Sequence, residues 1–243
     1  MSWLAVLLIG VGLTDLVHSV RPVRLLPESV GAAATVLVGL LVGLTGPLDL
    51  VALLGVAAAV FAWGQTVTRG LGRGPAWVPL AVLGGAVAVL LLLSPVAGPA
   101  DGLLGRWLER GPLLVAGLEP DVALLLLGVV LLQLSTGNVV VRLVLAATGT
   151  LNPADHGEPD DPELRLKGGR LLGPMERIFI LGLGLAGQLT AAAIVIAAKG
   201  LLRFPELQSK SEQQRIHQLT EYFLVGSFVS WLFALGSLLL VVA

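Results

Sequence analysis

The side chains able to do chemistry in this chain are few, and each is set within an apolar run. Asp15 and His18 stand three apart in the first run, with Thr14 alongside. On a helix that spacing puts both on one side, where an Asp–His pair could relay a proton or give a metal two ligands. Arg21 and Arg24 follow at once, so an ion pair at the membrane interface is the competing role for Asp15. A second group, Gln133, Ser135, Thr136, Asn138 and Arg142, crowds one long run, with Gly137 able to loosen the helix between them. Asn138 and Arg142 are four apart and project together. An arginine at membrane depth needs a carboxylate, carbonyls or water, and Asp15 and Glu176 are its candidate partners. Placed at the interface instead, Arg142 would simply snorkel. Gln188 is the third feature: a buried amide must find a partner, for which Ser227, Ser230 and Asn138 qualify.

The elements that position these residues read as helices in a bilayer. Hydrophobic residues are 56% of the 243 and charged ones 13%, against about 25% charged in a soluble domain. Crossing about 30 Å of hydrocarbon takes roughly 20 apolar residues. Seven apolar segments can be drawn, at about 3–20, 30–45, 50–67, 76–96, 120–148, 178–198 and 220–243. The expected fold is an all-α polytopic helical membrane bundle of six or seven transmembrane segments, forming a single transmembrane domain over 1–243. A short amphipathic surface helix is expected at 101–110, within a 101–119 helix-and-loop region. There Leu103, Leu104, Trp107 and Leu108 share a face opposite Arg106, Glu109 and Arg110. The first segment lacks a basic start and a cleavage site, so it reads as a retained helix. Residues 151–170 form an acidic, proline-rich loop.

Small residues at four-residue spacing mark close helix contacts in lipid: Gly39/Gly43, Gly182/Ala186, Gly187/Ala191 and Gly226/Ser230. They serve either packing within one bundle or a homodimer seam. Lys and Arg divide almost evenly between the two faces if seven segments cross, and become one-sided if the sixth is re-entrant. The glycines at 182, 184 and 187 would permit such a break, although a continuous helix over 178–198 is the favoured form. No internal repeat is evident, which argues against a transporter of two matched halves.

The most patterned part is the C-terminal third. It reads Gly168-Gly169-Arg170-Leu171-Leu172-Gly173-Pro174-Met175-Glu176-Arg177, then Gly187-Gln188, then Ala197-Ala198-Lys199 through Arg203-Phe204, then Glu221-Tyr222 and Gly226. Over 168–226 this order resembles an uncharacterised family of prokaryotic integral membrane proteins, a domain of unknown function. That family tends to open with His before Asp in the first helix, whereas here Asp15 precedes His18. The resemblance implies a membrane fold and no particular activity. Glu176, Arg177, Lys199, Arg203 and Glu221 fall at helix ends. They suit a salt-bridge lock on the last two helices or, alternatively, a site for a lipid headgroup or phosphate.

Several functions are disfavoured. A net charge of −1 gives no nucleic-acid footprint. Cysteine is absent, so thiolate chemistry is too. No HExxH, GxSxG or P-loop occurs, which points away from an enzyme. His18, His156 and His217 are scattered, and the cluster around His156 (Asp155, Glu158, Asp160, Asp161) reads as a solvated acidic loop. No metal or cofactor is therefore expected. Arginine-, alanine- and leucine-rich usage suggests a prokaryotic cytoplasmic membrane. Two functions follow. One is a channel or transporter for a small ion or solute, its path passing Gln188, Asn138, Arg142, Asp15 and His18. The other is a non-catalytic subunit or scaffold that binds membrane lipid and partner helices, as a homo-oligomer or within a larger assembly.

Overall fold

A computed structural model describes residues 1–72, 74–110, 117–150, 169–208 and 213–242, with backbone alone at 169–171, 199, 202–208 and 213–219. Among the described residues there are ten α-helices and no strand. They are α1 (Ser2–Val20), α2 (Leu26–Leu41), α3 (Pro47–Gly70), α4 (Trp77–Leu92), α5 (Gly102–Arg110), α6 (Pro120–Leu134), α7 (Thr136–Ala147), α8 (Gly169–Leu185), α9 (Leu189–Gln208) and α10 (Gln213–Val242). A 3₁₀ turn at Ser94–Val96 follows α4. The all-α class is as expected.

The number of spans is lower than expected. Three helices are long and apolar enough to cross a membrane, at Ser2–Val20, Pro47–Gly70 and Thr220–Val242, or four if α6 and α7 count as one. Breaks inside two apolar runs and early ends of two others account for the difference. The fifth run divides at Ser135, whose φ of −130° and ψ of −54° leave the helical region. The sixth divides at 186–188, where Gly187 takes φ +72°. There the Gln188 N–H bonds the Leu183 carbonyl at 2.7 Å and the Gly187 N–H bonds Gly184 at 3.0 Å. Those two bonds are the left-handed glycine cap that ends a helix. A continuous helix over 178–198 is thus not what forms. The second run ends the same way: Gly43 has φ +90°, with Leu44 N–H to Gly39 O at 3.0 Å and Gly43 N–H to Leu40 O at 3.2 Å. This leaves α2 at 16 residues, short of the roughly 20 a span needs.

The chain divides into two compact units, residues 1–70 with 78–136 and residues 71–77 with 137–243. In the first unit α1 is the central post, packed on α2, α3 and α6. Every residue from Leu4 to Ile9 is at most 2% exposed. Glycines let the backbones close in: Gly10 and Gly31 face each other across α1 and α2, and Gly128 of α6 lies against Ala5 and Leu8 of α1. Asp49 ties the bundle at one end, accepting from the Trp3 indole at 2.8 Å and the Gly98 amide at 3.2 Å. Helix α5 buries Gly105 and Leu108, while Leu103 and Trp107 stay exposed. The expected short amphipathic helix therefore forms, with its apolar face only partly covered by the rest of the unit.

In the second unit Ile180, Ala192 and Ala234 form a small core from α8, α9 and α10, flanked by Leu183, Ile196, Trp231 and Leu235. In a straight helix Ile180 and Ala192 would stand about 18 Å apart. The turn at Gly187 lets both reach the same core. A Cβ added to Gly226 of α10 would stand 3.5 and 3.7 Å from Val141 and Leu145 of α7. Among the described residues nothing lies within 4 Å of where a Gly182 Cβ would stand.

These glycines make opposite predictions. A Cβ on Gly31 would clash with the Thr14 hydroxyl and stand 2.7 Å from the Gly10 carbonyl. Gly31→Ala should cost about 1–3 kcal/mol through overpacking. On α4 nothing lies within 4 Å of such a Cβ on Gly84. Gly84→Ala should gain about 0.5–1 kcal/mol from helix propensity. Thermal unfolding of the two variants in detergent checks both signs.

Candidate functional site

Two clusters of buried polar side chains stand out, one in each unit. In the first unit the cluster is acidic. Helix α1 presents Thr14 and Asp15, both buried because α1 is covered by three neighbouring helices. The chain reverses after α1 with Leu25 at φ 65°, and Pro27 starts α2. That reversal carries Glu28, in the first turn of α2, into the interior, where it is 5% exposed. Helix α3 supplies neutral donors to both carboxylates. The Trp63 indole N–H is shared between the two Asp15 oxygens at 3.2 Å each. The Gln65 amide donates to Glu28 Oε1 at 3.1 Å. Gly64 lies between these two donors, and the Glu28 side chain rests where its Cβ would be. Thr136, at the start of α7, turns its hydroxyl toward Asp15 without reaching hydrogen-bond geometry. The Thr14 hydroxyl bonds the Gly10 carbonyl at 2.9 Å, and Thr35 likewise bonds Gly31.

In the second unit the cluster is centred on a guanidinium. Arg177 of α8 is 1% exposed. It donates to Asn138 Oδ1 on α7 at 2.9 Å and to Ser230 Oγ on α10 at 3.1 Å. Two glycines make the room. A Cβ on Gly137 would fall on the guanidinium, and one on Gly173 would stand 3.3 Å from its Nη1. Its neighbour Glu176 turns to another partner, accepting from the Trp231 indole at 2.8 Å. The pair thus ties α8 to α10 through two adjacent residues of the last helix.

The expected site residues are distributed over both clusters. Asp15 is interior and bonded to Trp63, so the interfacial ion pair with Arg21 or Arg24, both exposed, does not form. His18 is exposed at the end of α1 and takes no part in the buried cluster. Asn138 meets Arg177, and Arg142 is half-buried one turn further along α7. Gln188 is exposed in the turn between α8 and α9, and Asn138 and Ser230 are engaged by Arg177 instead. Glu221 is exposed and accepts from Thr150 at 3.3 Å. It stands ten residues before Trp231, about 15 Å along the helix, so it does not join Glu176 and Arg177. The side chains of Lys199 and Arg203 and the loop at 151–168 lie outside the described residues. Among the described residues no group of three or more His, Cys, Asp or Glu could hold a metal.

Two participants escaped the sequence reading. Glu28 falls just before the apolar run at 30–45 and reads as loop, although Pro27 ahead of it is a helix-start signal. Trp63 reads as a core or interface aromatic, and nothing local to it announces an acidic partner 48 positions earlier. Comparison with protein-family models, curated proteins and solved structures gave no match.

The guanidinium cradle carries a stability prediction. Ser230→Ala removes one acceptor of Arg177 and should cost about 1–3 kcal/mol, the usual penalty for a buried donor left short. Gly137→Ala should destabilise by a similar amount, because Arg177 must leave its seat. Chemical or thermal unfolding of both variants beside the wild type tests this.

Proposed function

We propose that the protein is integral to a prokaryotic cytoplasmic membrane and moves a small ion or solute across it. One observation carries this reading: Asp15 of α1 and Glu28 of α2 are both buried in the first unit, and their donors are neutral. Packing has no need of them. An apolar residue of similar volume holds a helix interface at least as well as a buried charge does. Acidic side chains within membrane helices cost about 2.5–3.5 kcal/mol each at mid-depth and generally mark ion pathways or proton relays. With Gln188 in an exposed turn, the path narrows to the acidic cluster of the first unit.

The scaffold reading has its own supporting observation. The polar groups around Arg177 are matched to protein partners, as in a structural lock. Helix α10 also presents Leu224, Phe228, Leu232 and Leu239 outward, at spacings that suit lipid or a partner helix. On this view the chain would assemble with copies of itself or with other membrane subunits.

The two readings separate in reconstituted vesicles. The transporter should dissipate an imposed proton, sodium or potassium gradient faster than empty vesicles, and Asp15→Asn should slow it at least severalfold. No dissipation beyond that of empty vesicles would favour the scaffold.

Membrane integration is tested separately. Helix α3 has 24 residues, about 36 Å of helix. In this cysteine-free chain, Thr45→Cys and Gly72→Cys should label from opposite faces with an impermeant maleimide. Labelling of both from one face would remove α3 as a span.

A further inference from the structure

We infer that α5 lies in the headgroup layer of the bilayer, with Leu103 and Trp107 on the acyl chains and Arg106 and Arg110 on anionic phospholipid headgroups. The inference rests on the membrane reading above and adds to it a surface that selects lipid by charge. Helix α5 has nine residues, about 13 Å of helix, far short of a span. Residues 103, 106, 107 and 110 follow the spacing that places side chains on one helix face, and all four are exposed. Gly105 and Leu108, on the other side, are buried in the first unit. The open face thus sets a leucine and a tryptophan beside two arginines. Glu109, also exposed, projects about 120° or more around the helix from Leu103 and Trp107.

The segment ahead of α5 fixes its level in the first unit. Gly98 accepts from Ser2 at the start of α1 and donates to Asp49 at the start of α3. The Ala100 N–H donates to Asp121 at the start of α6 at 3.3 Å. The Asp101 N–H donates to the Val42 carbonyl at the end of α2 at 2.8 Å. Helices α1 and α3 are long and apolar enough to cross a membrane, so α5 stands where they begin, at headgroup level. The outward apolar surface reaches the same level, with Leu41, Leu48, Val51 and Val96 all exposed. Leu103 and Trp107 extend it, at 51% and 56% exposure. A short helix with tryptophan and leucine beside arginine is the form that settles at a lipid surface. Among the described residues neither arginine joins an ion pair, and Arg106 bonds only its own helix, at the Gly102 carbonyl. Two guanidinium groups against one acid leave α5 net positive, which complements phosphate.

Trp107 reports its own depth. The full chain is placed in phosphatidylcholine nanodiscs whose acyl chains carry bromine either near the headgroup or near the chain end, with and without phosphatidylglycerol. Subtracting the emission of Trp107→Phe isolates Trp107 from the other tryptophans, and Trp107→Tyr serves the same purpose if that variant does not fold. The expected result is a loss of Trp107 emission mainly to the shallow bromines, with protection from acrylamide in the water. Phosphatidylglycerol should deepen the loss. The Arg106→Gln/Arg110→Gln double variant should abolish that increment.

The placement is overturned if acrylamide quenches Trp107 and neither lipid does, which leaves the face to water or to protein. Quenching mainly by the deep bromines overturns it as well. The choice of anionic lipid is overturned if phosphatidylglycerol has no effect on the wild type, or if its effect survives in the double variant. Leu54→Trp, added to Trp107→Phe, keeps these outcomes apart from the membrane reading, because Leu54 is exposed on α3, about 10 Å from the helix start. Quenching by bromine at position 54 but not at Trp107 would sink the α5 placement alone. Quenching at Trp107 but not at position 54 would sink the α3 span and leave α5 as a surface contact.

Discussion

The first unit is organised by the enclosure of α1. Once α2, α3 and α6 cover one helix, each buried side chain on it must be satisfied from inside the bundle. For most of α1 that requirement is trivial, since Trp3 to Val11 is apolar or glycine. At Thr14 and Asp15 it is demanding. Asp15 cannot extend to the arginines beyond the helix end, and Trp63 of α3 becomes its donor. The enclosure depends in turn on Gly10, Gly31, Gly64 and Gly128, whose missing side chains admit neighbouring backbones or the Glu28 side chain. In lipid, where apolar contact with a neighbouring helix gains little over contact with acyl chains, such close fitting is a main source of cohesion.

The two polar clusters solve different problems. Around Arg177 the donors of a rigid planar cation find an amide oxygen and a hydroxyl, and two glycines clear its seat. A guanidinium held this way has little freedom, and its geometry describes a fastening between α7, α8 and α10. Around Asp15 and Glu28 the balance is reversed. Acceptors outnumber donors, and one carboxylate oxygen is buried without a partner. A closed structural network does not leave that kind of vacancy, and this contrast is why the acidic cluster, rather than the arginine, bears the functional reading.

Glycine serves two incompatible purposes in this chain, and spacing alone does not separate them. Gly39 lies under Leu53 and packs α2 on α3, as the small-residue pattern suggests. Gly43, four residues on, is past the end of the helix with φ +90° and caps it. Gly187 does the same for α8. Each cap ends a helix inside or at the edge of an apolar run. The smaller number of long helices therefore follows largely from backbone conformation at Gly43, Gly187 and Ser135 and from the Ser94-Pro95 turn that follows α4, not from any deficit of hydrophobicity.

Read by itself, the sequence determined the helical class, the shortage of charge and the starts of the first six helices to within about four residues, and it singled out Asp15, Asn138 and Arg142 as polar exceptions. These properties are local: they depend on composition, on apolar run length and on the cost of a polar group among apolar ones. The tertiary structure alone decided which polar groups meet. Trp63 and Asp15 are 48 positions apart, and Arg177 and Ser230 are 53 apart. Glu28 becomes an interior residue only because the turn at Leu25 folds α2 back along α1. Gln188, central in its apolar run, ends exposed because the next residue before it adopts a left-handed backbone that stops the helix. Partners distant in sequence are chosen by helix packing, and a one-dimensional pattern carries no record of which faces will touch.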